Sequence, residues 1–258
     1  GTDMKQILWK PAMHILAGTT LRDPAQKECF DLALHTNHNA DSILENRTVL
    51  ANTLDTKASD WVFAKQTHSD HIYKVESKDK GKGAFAFNDG IDDCDALYTR
   101  ESDIGIGVFH ADCVAVLLYD PYTNIIAAIH SGWQGSVKEI TRKCVERLSQ
   151  QEGVDPSHLL AYISCAIGFK SFEVGNEVVD QIASMSFDTA RFIQRISKEK
   201  ALIDNKGLNE QMLINCGVRK ENITVNPNDT FFDNDAFFSY RRDKQCGRHL
   251  SYILRKSV

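Results

Sequence analysis

The stretch VAVLLYDPYTNIIAAIHSGWQGS, residues 114–136, constrains this chain more than any other. Two apolar runs, 114–120 and 124–130, flank Asp120-Pro121-Tyr122-Thr123, and a proline beside an aspartate favours chain reversal. The pattern predicts an antiparallel hairpin. With the pairing centred between Pro121 and Tyr122, Cys113 and His130 oppose each other at its open end, with Cβ atoms about 5 Å apart on one side of the sheet. Gly132 and Gly135 relieve crowding just beyond, as they would where a ligand or metal approaches the backbone. Ser136 then begins a helix, whose free N–H groups and positive dipole end make the same corner an anion site.

A cysteine and a histidine so placed support two chemistries. Both can ligate one zinc ion, with a third ligand and an open position for water. Alternatively, His130 deprotonates Cys113 to make the nucleophile of a cysteine hydrolase. The plain structural alternative is a buried cysteine beside a core histidine. His68 ends another strand-like run, DWVFAKQTH, next to Lys65 and Gln66, whereas His71 reads as a surface residue.

Further strands are expected at 60–68, 104–113, 160–168 and 222–227. Helices are expected from Ser42, with Glu45 in capping-box spacing, and from Ser136, with Glu139 in the same relation. In the second, Val137, Ile140, Cys144, Val145 and Leu148 form the apolar face and Gly153 the stop. A third helix falls within 174–185. Strands and helices in this order indicate a mixed α/β, or α+β, sheet fold. The loop 77–90, SKDKGKGAFAFNDG, reads as a mobile excursion within one domain spanning 1–258, and Gly1–Asp3 ahead of Met4 as an expression remnant.

Composition excludes several classes. The net charge is −5 and no basic run occurs, so no cationic surface for nucleic acid or membrane is present. No apolar stretch approaches the roughly 18–20 residues of a membrane span, and GTDMKQILWKP lacks the long apolar segment expected of a secretory signal. The cysteines are odd in number, 7, and scattered without a C-x-x-C pair. A reducing cytoplasm therefore fits better than a disulfide framework.

The strings DLALHTNHNADSILENR, KQTHSD, DCDALYT, HADCVAVLLYD, AAIHSGWQG, AIGFKSFEVGNEV and FFSYRRDKQCGR occur in order over residues 31–248. Together they resemble the YfiH-like family, also labelled multicopper polyphenol oxidase or laccase-domain proteins. The resemblance implies a YfiH-like fold of mixed sheets flanked by helices. It implies a zinc site at His68, Cys113 and His130. It implies phosphorolysis of purine nucleosides (adenosine, inosine, methylthioadenosine) with inorganic phosphate as co-substrate, adenosine deamination in the same pocket, and a monomer or homodimer. Arg47 matches the family's arginine for phosphate, with Lys65 a second cation and Gln66 beside it. Asp95 and Asp112 are candidate orienters of the histidines, or else turn residues. Arg241 and Arg242 read as structural, paired with Asp243, with contact of one of them to phosphate as the alternative.

Three departures from the family pattern bear on substrate range. Gln134 stands where an arginine is common, Asp229 and Phe232 replace a C-T-x-C segment, and SCAIGFKSFEVG replaces G-P-A-I-G-P-C-C-Y-E-V-G. A copper-dependent phenol oxidase fits poorly, because 9 histidines include no H-x-H pair from which to build a copper cluster. A metal-free hydrolase would leave His68 without a role.

Overall fold

The computed structural model describes residues 3–258, so most of the expected Gly1–Asp3 remnant lies outside the described residues. The chain opens with β1 (Gln6–Trp9) and β2 (Ile15–Thr20), then α1 (Ala40–Thr53) and the short β3 (Trp61–Val62). Next come β4 (Ile72–Val75), β5 (Ala96–Thr99), β6 (Gly105–His110), β7 (Val114–Tyr119) and β8 (Ile126–Ser131). The helices α2 (Trp133–Val137) and α3 (Ile140–Glu152) lead to β9 (Leu160–Ile163). A second half adds β10 (Glu173–Gly175), α4 (Asn176–Ala183), β11 (Ile193–Arg195), β12 (Lys200–Ile203) and α5 (Asn205–Asn215). The last strands are β13 (Ile223–Val225) and β14 (His249–Arg255).

These strands form a five-stranded sheet in the order β1-β2-β14-β6-β3 and a six-stranded sheet in the order β13-β9-β7-β8-β5-β4. A small sheet, β10-β12-β11, completes the set. Antiparallel and parallel pairs mix in both large sheets, in keeping with the α+β expectation.

The hairpin strands are apolar throughout because both of their faces are covered. Ala115, Leu117 and Tyr119, with Ile126 and Ala128 opposite, pack against Ile106, Val108 and Ile253 of the other large sheet. The intervening Val114, Val116 and Leu118, with Ala127 and Ile129, pack against Ile140, Cys144, Val145 and Leu148 of α3. Side chains alternate along a strand, so Cys113 and His130 extend the first of these stripes. Both sit at the end of the space between the two large sheets. On the far face of the five-stranded sheet, Leu50 and Leu54 at the end of α1 pack on Trp61, Phe63 and Tyr252.

The register differs from expectation. Ala115, not Cys113, is paired with His130, and Val114 with Ser131. Asp120 causes the shift by capping its own loop: its carboxylate accepts from Tyr122 N at 3.1 Å and Thr123 Oγ1 at 2.7 Å. Asn124 turns left-handed at φ 63°, and the connection is longer than a two-residue turn. Cys113 lies one residue outside β7, diagonal to His130 and on the same side.

Neither expected capping box forms. Asn39 caps α1 by accepting from Ser42 N at 3.0 Å, so Ser42 lies inside the first turn. The second helix starts at Trp133, and Ser136 N donates to Gly132 O, which removes the anion site expected at Ser136. The chain then kinks at Glu139, φ 58°, whose carboxylate binds Ser186 and Arg142 instead. The apolar face of α3 and its left-handed stop at Gly153 agree with the sequence reading, except that Val137 packs beside α4 and α5. The strand expected over 60–68 reduces to β3 and an isolated bridge at Ala64, after which the backbone turns at His68, φ 61°.

Candidate metal centre

Asp95 organises the site. It is fully buried at the start of β5, and its carboxylate accepts five hydrogen bonds. Oδ1 takes Thr67 N at 3.0 Å, Ser69 N at 2.9 Å and Ser69 Oγ at 2.7 Å. Oδ2 takes His68 N at 3.1 Å and His130 Nδ1 at 2.8 Å. The main-chain carbonyl of Asp95 also accepts from His130 N at 2.7 Å. One carboxylate thus wraps the 67–69 turn around itself, holds His68 in its left-handed conformation and orients the His130 ring. Burial opposes its charge, but the bonds from His130, Ser69 and Thr67 keep its pKa well below the usual carboxylate range.

With Nδ1 committed to Asp95, His130 presents Nε2 to Cys113 and His68. The three donor atoms lie within 4.8 Å of one another. His130 is buried, Cys113 half-buried and His68 exposed, so the cluster is gripped from below and open above. Burial would raise the Cys113 thiol, yet hydrogen bonds from His130 and His68 draw it down. Burial would lower His130, yet Asp95 and Cys113 push it up. A thiolate beside a protonated imidazole is the charge state a cation would replace. Two imidazole nitrogens and one thiolate suit zinc, for which ligand atoms at about 2.0–2.3 Å stand roughly 3.5 Å apart. Among the described residues this is the one group of three such side chains whose donor atoms converge.

Gly132 is sterically required. A Cβ there would lie 2.7 Å from Cys113 Sγ and 3.5 Å from His68 Cδ2. The backbone after His130 passes against the ligands themselves, which explains why so little side chain follows that histidine.

The cluster forms part of the wall of a cavity of about 840 Å³, a size suited to a small-molecule ligand. Arg47 and Gln66 line it and Lys65 does not. Lys65 points outward to Asp92, at 2.7 Å, and Asn88 O, while Phe63, Ala64 and Gln66 face the cavity. Gln66 binds the Phe109 backbone at both ends of its amide, 2.8 and 2.7 Å. Arg47 is buried between Phe63 and Phe109, 4.7 and 5.2 Å from its guanidinium carbon to the ring centres. Its Nε binds Leu32 O and its Nη1 binds Gly83 O and Ala84 O. Among the described residues, Nη2 has no protein acceptor.

The remaining sequence candidates divide. Asp112 does not reach the histidines. It accepts from Thr230 Oγ1, Ser239 Oγ and Arg241 N, clamping the 230–241 segment onto the cavity wall. Arg242 binds the carbonyls of Thr230, Phe231 and Phe237, and Arg241 that of Glu173, rather than Asp243. Asp229 ties down Ser171, and Phe232 is exposed. His71 is exposed on the surface, as expected. Sequence reasoning missed His35 and Arg248, which also line the cavity. Desolvation of its ring and the charge of Arg248 push His35 down to about 4, so it is a neutral imidazole at physiological pH. Its only sequence signal is its place within DLALHTNH.

Residues 19–256 match the family described as "Multi-copper polyphenol oxidoreductase laccase". The chain belongs to this laccase-domain, YfiH-like family. It is 31% identical over 245 residues to the purine nucleoside phosphorylase YlmD of Bacillus subtilis, covering 93% of this chain and 88% of that one. It is 30% identical over 249 residues to a purine nucleoside phosphorylase of Staphylococcus saprophyticus, covering 95% and 93%. The crystal structure of the hypothetical protein YfiH of Bacillus licheniformis superposes with a TM-score of 0.94 at 30% identity, covering 97% of this chain and 96% of that one. YlmD of Geobacillus stearothermophilus follows at 0.90 and 28%, covering 96% and 94%. The YfiH-like fold expected from the sequence is therefore the fold observed.

Proposed function

We propose that this laccase-domain protein is a zinc-dependent purine nucleoside phosphorylase that also deaminates adenosine. The observation that carries the reading is the convergence of His68, Cys113 and His130 on the wall of a cavity that also holds a buried arginine with a free guanidinium edge. The relatives named purine nucleoside phosphorylase support the phosphorolysis.

Bound by these three ligands, zinc supplies Lewis acidity and lowers the pKa of bound water toward about 7. The protein's own groups do the rest. Arg47, fixed through three backbone carbonyls, offers Nη2 to inorganic phosphate without reorganisation. Phosphate oxygen then bonds to ribose C1′ as the C1′–N9 bond breaks, and the purine leaves with the electron pair and takes up a proton. Asp95 keeps His130 in the tautomer with a free Nε2. In deamination, water adds at C6 of adenosine and ammonia departs, giving inosine. Adenosine, inosine and methylthioadenosine are the proposed substrates.

The test supplies inosine with and without phosphate and follows hypoxanthine. Phosphate-dependent release, lost in His68→Ala together with about one zinc per chain, supports the reading. Absence of release from both inosine and adenosine refutes it. Conversion of adenosine to inosine without phosphate tests the deaminase activity separately. Alkylation of Cys113 in active, metal-free protein would instead favour the cysteine hydrolase.

A further inference from the structure

Three side-chain carboxamides line the cavity: Gln66, Gln134 and Asn205. Two are committed at both ends. Gln66 pairs with the Phe109 backbone, and Asn205 accepts from Ser136 Oγ at 2.5 Å while donating to Ser131 O at 3.0 Å. Gln134 is half-buried, and among the described residues its amide has no protein partner. It also stands at the metal centre. The point where a Cβ on residue 132 would fall lies 3.5 Å from Gln134 Oε1, 2.7 Å from Cys113 Sγ and 3.5 Å from His68 Cδ2. An uncommitted carboxamide therefore faces the space above the ligand cluster.

Of the polar side chains, an amide suits one recognition task in particular. It carries no formal charge, donates from nitrogen, accepts at oxygen, and exchanges the two by a half-turn of its terminal torsion. Purines that differ at position 6 pose that problem: adenine presents an amino donor there, and hypoxanthine an oxo acceptor. We propose that Gln134 is a specificity-determining residue that reads position 6 of the purine, accepting from a 6-amino group and donating to a 6-oxo group. The proposal rests on the purine nucleoside reading above, which places carbon 6 beside the metal centre for deamination. It makes the site tolerant of both base classes.

The experiment measures adenine and hypoxanthine binding by titration calorimetry, with wild-type protein, Gln134→Lys and Gln134→Met. Lysine keeps a donor and loses the acceptor, so the hypoxanthine-to-adenine affinity ratio should rise about tenfold. Methionine has similar length and neither function, so both bases should weaken while their ratio stays within about twofold of wild type. Because each ratio comes from one preparation, differences in folded fraction or metal content cancel. A ratio unchanged in Gln134→Lys, or no binding of either base to wild type, overturns the proposal. The inosine assay judges the enzyme reading independently. Wild-type release of hypoxanthine with an unchanged ratio would leave that reading standing and remove Gln134 from it.

Discussion

Replacing Asp95 by asparagine changes almost no volume and tests the whole architecture of the centre. Every group that Asp95 meets through its carboxylate is a donor, so an amide cannot satisfy them all. With its oxygen at the Oδ1 position, asparagine keeps the three bonds from Thr67 N, Ser69 N and Ser69 Oγ. Its NH₂ then stands where Oδ2 accepted from His68 N and His130 Nδ1. To accept from that NH₂, His130 must move its proton from Nδ1 to Nε2, the nitrogen that faces Cys113 and His68. A protonated Nε2 cannot ligate. Metal binding must therefore break the new bond or accept a rotated ring.

Loss of such a carboxylate–histidine partner weakens metal affinity by about 10- to 100-fold, equivalent to roughly 1.4–2.7 kcal/mol. The expected result is a zinc dissociation constant raised by that factor in Asp95→Asn, measured by competition with a chromophoric chelator at neutral pH. Thermal unfolding of the metal-free proteins provides the control, because the strained 67–69 turn also loses a bond at His68 N. Affinity within about twofold of wild type would refute the view that Asp95 sets the His130 tautomer.

Further outcomes follow from single contacts. Gly132→Ala drives a methyl into Cys113 Sγ, 2.7 Å away, and should lower zinc content and cost about 1–3 kcal/mol in chemical denaturation. Arg47→Met strands the carbonyls of Leu32, Gly83 and Ala84 and should destabilise the protein by about 2–4 kcal/mol while raising KM for phosphate; a phosphate KM unchanged in folded variant would remove Arg47 from the site. Lys65→Ala should leave phosphate KM within about twofold, because Lys65 pairs with Asp92 outside the cavity. At Glu152, burial opposes the charge, but Arg100, Tyr98 and Lys74 hold its folded pKa below the ordinary value of 4.5. Its contribution is thus present above the unfolded pKa and lost as pH falls through the lower folded one. Glu152→Gln should cost about 1 kcal/mol at neutral pH, water screening its half-exposed cations, and nothing at the acid end of a urea-denaturation series.

Where the fold was legible, the cause was a strong local pattern. The apolar face of α3 repeats at helical spacing and ends in a glycine, and the strands at 114–119 and 126–131 are continuous apolar runs. Elsewhere tertiary partners decide. HLSYILR, with a histidine, a serine and an arginine among its apolar residues, gave no reading as a strand, yet β14 lies in the middle of the five-stranded sheet. Its buried polar groups find partners far along the chain or in the preceding loop: Ser251 with Thr19 and His110, and His249 with the Thr20 carbonyl and Phe238 N. The α5 helix likewise carries a weak local signal, since its capping Asp204 precedes NKGLNEQMLIN, in which polar residues surround the buried Leu208 and Met212.

The pairing of Cys113 with His130 survived a wrong register for a physical reason. The true hairpin is offset by one residue on each strand, two positions in all, and side chains alternate with period two. An even offset moves partners along the sheet but keeps them on the same face, so both residues still point into the space between the large sheets. An odd offset would have sent one of them toward α3. No local pattern could supply the other half of the site: His68 is positioned by a turn wrapped on a carboxylate 27 residues further along the chain, and Lys65 is turned outward to Asp92 while the Phe109 backbone holds Gln66 inward. Sequence spacing shows which face a side chain takes, and the buried charge of Asp95 determines which side chains meet there.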